Sequence, residues 1–262
     1  MFLAKPSNKK QGVIMIQKLK KELYAYKILL KSLPATVFSF YVLSIVIMNL
    51  LANKSIALPW WMGFDCGFII SWIGFLAMDI VTKHFGPKAA TRMTILALFI
   101  NLFIALLFFA ISNIAGSWGA AIETNGETNS VINTAINRVF AGNWYVLFGS
   151  SIAIAISSIV NNFSNWGIGK IFKAKPDSFV AYISRSYISS AIGQFVDNII
   201  FAFVVSYVLF QWSIVQCITS AVLGMLFELI CQIIFSPWGF YICKKWKKEN
   251  VGELYLQQFR EV

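Results

Sequence analysis

Long apolar runs separated by short charged clusters dominate this sequence and limit what the chain can fold into. Six of these runs reach the roughly 20 residues that are needed to cross the hydrocarbon core of a membrane. They cover residues 33–52, 60–82, 93–116, 144–163, 187–210 and 214–243. Only 13% of the 262 residues are charged, which is about half the share usual in a soluble domain. The pattern predicts an all-α integral membrane protein with six transmembrane helices.

Lysine and arginine lie almost entirely on one side of the predicted spans. Of the 22 basic residues, 20 lie in the N-terminal arm, the loops at 83–92 and 164–186, and the C-terminal tail, whereas Lys54 and Arg138 lie on the other side. Such an excess marks the cytoplasmic side, so we predict that both termini are cytoplasmic. This topology accounts for the net charge of +11, and we expect no direct binding of nucleic acid.

The predicted organisation is a single transmembrane unit at residues 33–243 between two cytoplasmic segments. Residues 1–32 form a basic arm with apolar residues at roughly helical spacing, which is either a helix on the inner membrane surface or a solvated segment. Residues 244–262 form the cytoplasmic tail. In the outer loop, residues 131–140 have the pattern of a short amphipathic surface helix.

The sequence offers little to an enzyme or to a metal site. The four cysteines lie far apart, no CxxC pair occurs, and His84 is the only histidine, so we expect no zinc site. The phosphate-binding loop with its lysine, the GxSxG motif and the dinucleotide fingerprint are also missing. We therefore predict no catalytic residues and no cofactor, although an integral membrane enzyme or an assembly factor remains an alternative.

Four acidic residues fall within or at the ends of the predicted spans, where a charge costs about 2.5–3.5 kcal/mol at the centre. Asp65 and Asp79 lie near opposite ends of the second span, Asp197 lies in the fifth and Glu228 in the sixth. Spans five and six are joined by a very short turn at residues 211–213. At a rise of 1.5 Å per residue, Asp197 and Glu228 both lie roughly 21–23 Å below this turn, so the two carboxylates could share a cavity.

Polar residues at three- and four-residue spacing form a stripe along the fifth span. They are Ser186, Ser189, Ser190, Gly193, Gln194 and Asp197. Small and polar residues in such a stripe also serve close helix packing, but packing does not require a carboxylate. Arg185 begins the stripe on the cytoplasmic side, where it could pair with an acid or anchor the helix.

Trp72 lies in the middle of the second span, seven residues from both Asp65 and Asp79. This spacing predicts that the three side chains share one helix face, where the indole could stack on a planar ligand or pack in the core. Weaker candidates for polar contacts are Asn101, Ser157, Ser158, Asn161 and Asn162.

The segment SRSYISSAIGQFVDNIIF, residues 184–201, resembles the signature of the vitamin uptake and queuosine precursor transporter family. The matching positions are Arg185, Ser189, Gln194, Asp197 and Phe201.

A second segment, MDIVTKHFGPKAA at residues 78–90, is similar to another motif of that family through Asp79, Gly86 and Lys88. Two positions depart from the family pattern: Lys83 stands where a glutamate is expected, and Asn198 replaces a small hydroxyl residue.

The resemblance implies a transporter of the bacterial cell membrane that imports a 7-deazaguanine, such as preQ0 or preQ1, or queuine, for tRNA modification. A small planar nucleobase-like ligand would bind to Asp197 or Glu228 with Gln194 beside it, and we include Ser190, Arg185, Asp79 and Trp72 among the candidate substrate-binding residues. Protons could serve as coupling ion, and a homodimer or energising subunits could assist. The chief alternative is the substrate-binding S-component of an energy-coupling-factor vitamin transporter.

Overall fold

A computed structural model of the chain describes residues 8–56, 58–119, 126–172 and 178–259. Within these residues the chain forms eight α-helices of seven or more residues and no β-strand. They are α1 (Asn8–Ser32), α2 (Ala35–Leu51), α3 (Phe68–Phe85), α4 (Pro87–Ser112), α5 (Gly126–Gly169), α6 (Phe179–Phe201), α7 (Ile214–Lys248) and α8 (Glu253–Phe259). A π-helical turn at Ala202–Ser206 and a short helical turn at Tyr207–Leu209 extend α6.

Helices α3 to α7 are each long and apolar enough to cross a membrane. Helix α2 has 17 residues, the lower limit for a span, and it counts as a sixth candidate together with the end of α1, from which it is bent by 108°. The prediction of a six-span, all-α membrane protein is thus confirmed, while the cytoplasmic location of both termini stays a prediction.

The second and fourth predicted spans correspond to the most enclosed of the five helices that can cross a membrane by themselves. The apolar window of α3 is 67% buried and that of α5 is 56% buried, against 22% for α4. Helix α3 lies at the centre and contacts α2, α4, α5, α6 and α7. Polar residues dilute α3 and α5 because these helices face protein, where side chains find hydrogen-bond partners, rather than lipid.

The second span begins later than the sequence predicts. Residues 60–67 belong to a loop, which an isolated bridge between Ser55 and Asp65 ties back on itself. The Asp65 carboxylate accepts a hydrogen bond of 2.7 Å from the Gly67 amide, and this contact turns the chain into α3. Because apolar residues such as Trp60 and Trp61 lie in that loop, the predicted second span begins at residue 60, before the helix itself does.

The predicted surface helix at 131–140 and the predicted fourth span form one continuous helix. Helix α5 has 44 residues, and at 1.5 Å per residue it is about 66 Å long. The hydrocarbon core is only about 30 Å thick, so α5 continues well beyond it.

The two terminal segments fold against the same end of the bundle. Arg92 of α4 donates to both carboxylate oxygens of Glu22 in α1 at 2.8–3.0 Å and to the Tyr255 hydroxyl of α8 at 2.7 Å. Burial raises the pKa of Tyr255, and Arg92 opposes this effect. The C-terminal segment is therefore more than the simple tail that the sequence predicts, since α8 belongs to the packed structure.

The N-terminal arm is helical and bends away from the first span by 108°. Ala25, Ile28 and Leu29 pack into the core, whereas Leu19 and Leu23 are exposed. The arm is thus helical from Asn8 onwards, and whether it lies on the membrane surface or in solvent stays a prediction.

The reversal between α3 and α4 depends on Gly86. This residue has a φ of +93°, which favours glycine because other side chains rarely adopt it. Pro87 follows as the first residue of α4, where the missing amide hydrogen of proline costs nothing. The reversal fixes α3 and α4 as antiparallel neighbours.

Candidate functional site

Four helices bring polar side chains together around Asp79, a fully buried acid in the second half of α3. One carboxylate oxygen accepts hydrogen bonds from the side-chain amides of Asn165 at 2.8 Å and Asn161 at 3.4 Å, both in α5. The other oxygen accepts from Ser186 and Ser190 of α6 and from Gln232 of α7. Five donors from three neighbouring helices thus surround this carboxylate, and we call these six residues the Asp79 network.

Arg185 and Gln194 extend the Asp79 network in opposite directions along α6. Arg185 donates to the side-chain oxygen of Asn165 from Nε at 3.0 Å and from Nη2 at 2.8 Å. The Gln194 amide donates to the Gln232 oxygen at 3.3 Å. The Arg185 guanidinium is therefore connected to Asp79 through the Asn165 amide, and Gln194 is connected to Asp79 through the Gln232 amide.

Two further acids, Asp197 of α6 and Glu228 of α7, lie farther from the Asp79 network along the bundle. Asp197 comes seven residues after Ser190 and eleven after Ser186, which places it about 10–16 Å from the Asp79 network along the helix axis. Its carboxylate accepts a hydrogen bond of 2.7 Å from Ser157 of α5. Glu228 of α7 accepts from Ser71 of α3 and from Asn198 of α6, the latter at 3.1 Å.

Asp197 and Glu228 lie at one level but differ in their surroundings. Asn198, the neighbour of Asp197, bonds to Glu228, so the equal depth expected from the hairpin is present. Glu228 is completely enclosed, whereas Asp197 keeps 7% of its surface exposed. That exposed part faces a small cavity, so Asp197 is the more accessible of the two carboxylates.

The cavity lies between α2, the loop before α3, α3, α5 and α6, and its volume is about 30 Å³. Its polar lining consists of Asn49, Asp65, Ser71, Ser150, Asp197 and Asn198, and its aromatic lining of Phe68 and Phe201. A volume of this size holds no more than one or two water molecules. The cavity is therefore too small for a molecule of the size of a nucleobase.

Two buried polar groups close to Asp197 have no hydrogen-bond partner among the described residues. They are the Nδ2 donor of Asn49, which lines the cavity, and the Oε1 acceptor of Gln194, one turn before Asp197 on the same helix face. An unpaired buried polar group costs about 1–3 kcal/mol, and each of these two groups has capacity for one more hydrogen bond.

Residues 65–242 match the model of a protein family described as "Putative vitamin uptake transporter". The chain belongs to this family. The match covers α3 to α6 and most of α7. It includes the four acids Asp65, Asp79, Asp197 and Glu228. No curated protein and no solved structure matches the chain significantly.

Trp72 of this vitamin uptake family member lies against another helix rather than beside the acids. Its ring stacks on Phe235 of α7, with the ring centroids 4.3 Å apart and the planes 12° from parallel. Asp65 lies before α3 begins and Asp79 is enclosed by the Asp79 network, so the three side chains form no common surface. This geometry fits the packing interpretation of Trp72.

Some residues of the transporter's polar core could have been found in the sequence with a stricter search for helical spacing. Gln232 follows Glu228 by four residues, and Asn165 follows Asn161 by four, so each pair lies on one face of its helix. Asn161 and Ser157 are only weaker candidates in the sequence. In the structure Asn161 donates a hydrogen bond to Asp79 and Ser157 donates one to Asp197. Ser189 bonds to its own helix through the Ser186 carbonyl.

Close contact between α5 and α6 holds the Asp79 network and the surroundings of Asp197 in place. A Cβ atom at Gly193 would lie 2.8 Å from the Cβ of Asn161 and 3.2 Å from the Phe75 ring. The absence of a side chain at this position allows the amides of α5 to reach Asp79.

Replacing Gly193 by leucine is expected to destabilise the protein by about 1–3 kcal/mol, the usual cost of overpacking. The melting temperature of the purified protein in detergent measures the effect. Gly167→Leu is the matched control, because a Cβ atom at this exposed position in α5 meets nothing within 4 Å. Equal melting temperatures for the two variants would show that the helices can separate at Gly193 without cost.

Proposed function

We propose that this transporter imports a queuosine precursor, a 7-deazaguanine such as preQ0 or preQ1, or queuine, and that Asp197 binds it. The observation that supports the proposal is the Asp197 carboxylate, which lines a small cavity together with Asn49, whose side-chain nitrogen is unpaired among the described residues. Among the described residues, Asp197 accepts a single side-chain hydrogen bond, from Ser157. The carboxylate therefore keeps capacity for further donors.

The guanine-like edge of such a ligand complements these groups. Its adjacent N–H donors suit a carboxylate, which can accept two hydrogen bonds side by side. A further donor would meet the unpaired oxygen of Gln194, and the ring carbonyl would accept from the unpaired nitrogen of Asn49. The ring faces would lie against Phe68 and Phe201, which line the cavity and offer stacking surfaces.

Binding of a bicyclic ring requires the cavity to open, because about 30 Å³ is too small for it. The π-helical turn at Ala202–Ser206 directly follows Phe201, and such turns recur at functional sites. Val205 in this turn packs against Gly149 so closely that a Cβ there would lie 2.3 Å from a Val205 methyl. We propose that α6 bends at this turn to admit the ligand.

The direct test uses a bacterium that neither makes queuosine nor has its own importer of precursors. The chain is expressed there, preQ0, preQ1 and queuine are supplied separately at low concentration, and queuosine in tRNA is measured. Restoration by one of them supports the proposal and identifies the substrate. The matched control is Asp197→Asn at equal abundance in the membrane, which should restore at least tenfold less queuosine.

A negative result is made decisive by a binding measurement. If the protein is present in the membrane, no compound restores queuosine, and the purified protein binds none of the three, the proposed substrate class is wrong. If the purified protein binds one compound but does not transport it, an energising partner is missing. Co-purification of a scaffold subunit with two ATPases would then identify the chain as an S-component.

A further inference from the structure

A second, larger cavity lies at the opposite end of the bundle from the small cavity beside Asp197, which we call the Asp197 cavity. The volume of the larger one is about 590 Å³, and it lies between the ends of α3, α6 and α7 and the C-terminal segment. The distribution of lysine and arginine predicts that this end faces the cytoplasm, so we call this space the cytoplasmic cavity. An imported ligand has to reach the cytoplasm, and the structure between the two cavities decides how it can do so.

A row of four buried residues on α6 connects the two cavities. Arg185 lines the cytoplasmic cavity and Asp197 lines the Asp197 cavity, and they lie about 18 Å apart along the helix axis. Ser189 and Gly193 lie between them at four-residue spacing, so each residue of the row is a neighbour of the next on the helix surface. All four are buried. Because serine and glycine are small, Arg185 is the long side chain of this row, and it lies at the cytoplasmic end.

Contacts with α5 hold the Arg185 side chain in its buried position. The guanidinium donates to the Asn165 oxygen from Nε at 3.0 Å and from Nη2 at 2.8 Å, and only 9% of the residue is exposed. It also packs against Gly169, where an added Cβ would lie 2.9 Å from Arg185 Cζ. The guanidinium thus occupies space that the missing side chain of Gly169 leaves, and it links the cytoplasmic ends of α5 and α6.

We propose that Arg185 is the cytoplasmic gate of this transporter. In this structure its side chain closes the row towards the cytoplasmic cavity, and release of its contacts with Asn165 and Gly169 lets a ligand pass. The adjacent cytoplasmic cavity, at about 590 Å³, has room for the long side chain when it moves away. Gln194 lies beside the row, and its buried side-chain oxygen has no partner among the described residues, so it can accept from a ligand during passage. The proposal rests on transport by this chain and not on the identity of the ligand.

The test measures how fast a cysteine at position 189 reacts with a thiol reagent that does not cross membranes. Ser189 lies one turn beyond Arg185, is completely buried and bonds to the Ser186 carbonyl of its own helix, so Ser189→Cys is a small change. The full chain with this substitution is placed in inside-out vesicles, which present the cytoplasmic face, and in right-side-out vesicles. Sulfonatoethyl methanethiosulfonate is the reagent, and mass spectrometry after proteolysis measures the modification at residue 189 separately from that at the native cysteines.

Two variants open the gate in different ways, and each has a matched control. Arg185→Ala removes the side chain, and Lys244→Ala removes another cation from the lining of the same cavity, which controls for attraction of the anionic reagent. Gly169→Ala keeps the charge but displaces the guanidinium, and Gly167→Ala adds a methyl group that meets nothing within 4 Å. Melting temperatures show whether each variant is folded. If Arg185→Ala does not fold, the comparison of Gly169→Ala with Gly167→Ala decides alone.

From the cytoplasmic face, both gate variants are expected to raise the rate of labelling at residue 189 about tenfold or more, because hydrogen bonds to a charged group keep the gate closed by at least this factor. The two controls should react as slowly as the Ser189→Cys protein alone. Equal rates in all variants would overturn the proposal. A rise from the outer face, or an equal rise from both faces, would also overturn it, since the bundle would then have loosened as a whole. No ligand is added, so the result does not depend on whether the protein imports a queuosine precursor.

Discussion

Asp197→Asn is expected to lower uptake of the ligand at least tenfold and to leave the folded protein intact. Loss of a hydrogen bond between a charged group and a ligand costs about 1.5–3 kcal/mol, which corresponds to a factor of roughly ten to a hundred in affinity. In the protein itself the exchange removes little, because the side-chain oxygen of asparagine can still accept the hydrogen bond from Ser157. The second side-chain atom changes from an acceptor to a donor, and it would face the N–H groups of the ligand.

Uptake of radiolabelled ligand and the melting temperature should be measured together for this variant. Ser158→Ala is the control for packing, since Ser158 is also buried in α5 but bonds only to the Ala155 carbonyl of its own helix. Ser157→Ala should have an intermediate effect on uptake, because it removes the group that orients Asp197. Unchanged uptake with Asp197→Asn would remove Asp197 from the binding site.

The depth of the acids could be predicted from the sequence, but their partners could not. A short turn and the constant helical rise place Asp197 and Glu228 at one level, and the contact of Asn198 with Glu228 agrees. The rotation of each helix about its axis decides which neighbours a side chain meets. That rotation depends on the packing of all helices, so the sequence did not show that Asp197 turns towards Ser157 while Glu228 turns towards Ser71.

The position of Asp79 shows a different reason for the limits of sequence interpretation. The apolar window places the second span at 60–82 and Asp79 close to its end, whereas α3 continues to Phe85. The apolar window begins too early because Trp60 and Trp61 belong to the loop before the helix, and it stops too early because Lys83 and His84 are polar although they lie in the last turn of α3. Asp79 lies in the protein interior, where it organises side chains from three other helices.

Asp79→Asn is expected to destabilise the whole protein, in contrast to the same chemical change at Asp197. An aspartate at this position accepts from five donors, whereas the amide of asparagine has one oxygen and one nitrogen that itself donates. In either orientation the new nitrogen would face a side-chain amide nitrogen, from Asn165 on one side or from Gln232 on the other.

The amides of Asn165 and Gln232 cannot reverse to accept the new donor without breaking other hydrogen bonds. The oxygen of Asn165 is already bound by Arg185, and the oxygen of Gln232 accepts from Gln194. At least one of the buried donors that bond to Asp79 therefore loses this acceptor, and a buried donor that stays unpaired costs about 1–3 kcal/mol. We expect a lower melting temperature and a smaller yield of monodisperse protein, with uptake reduced in proportion to the folded protein. A stable Asp79→Asn variant that has lost uptake would instead mean that Asp79 contacts the ligand, and the binding site would then extend from the Asp197 cavity into the Asp79 network.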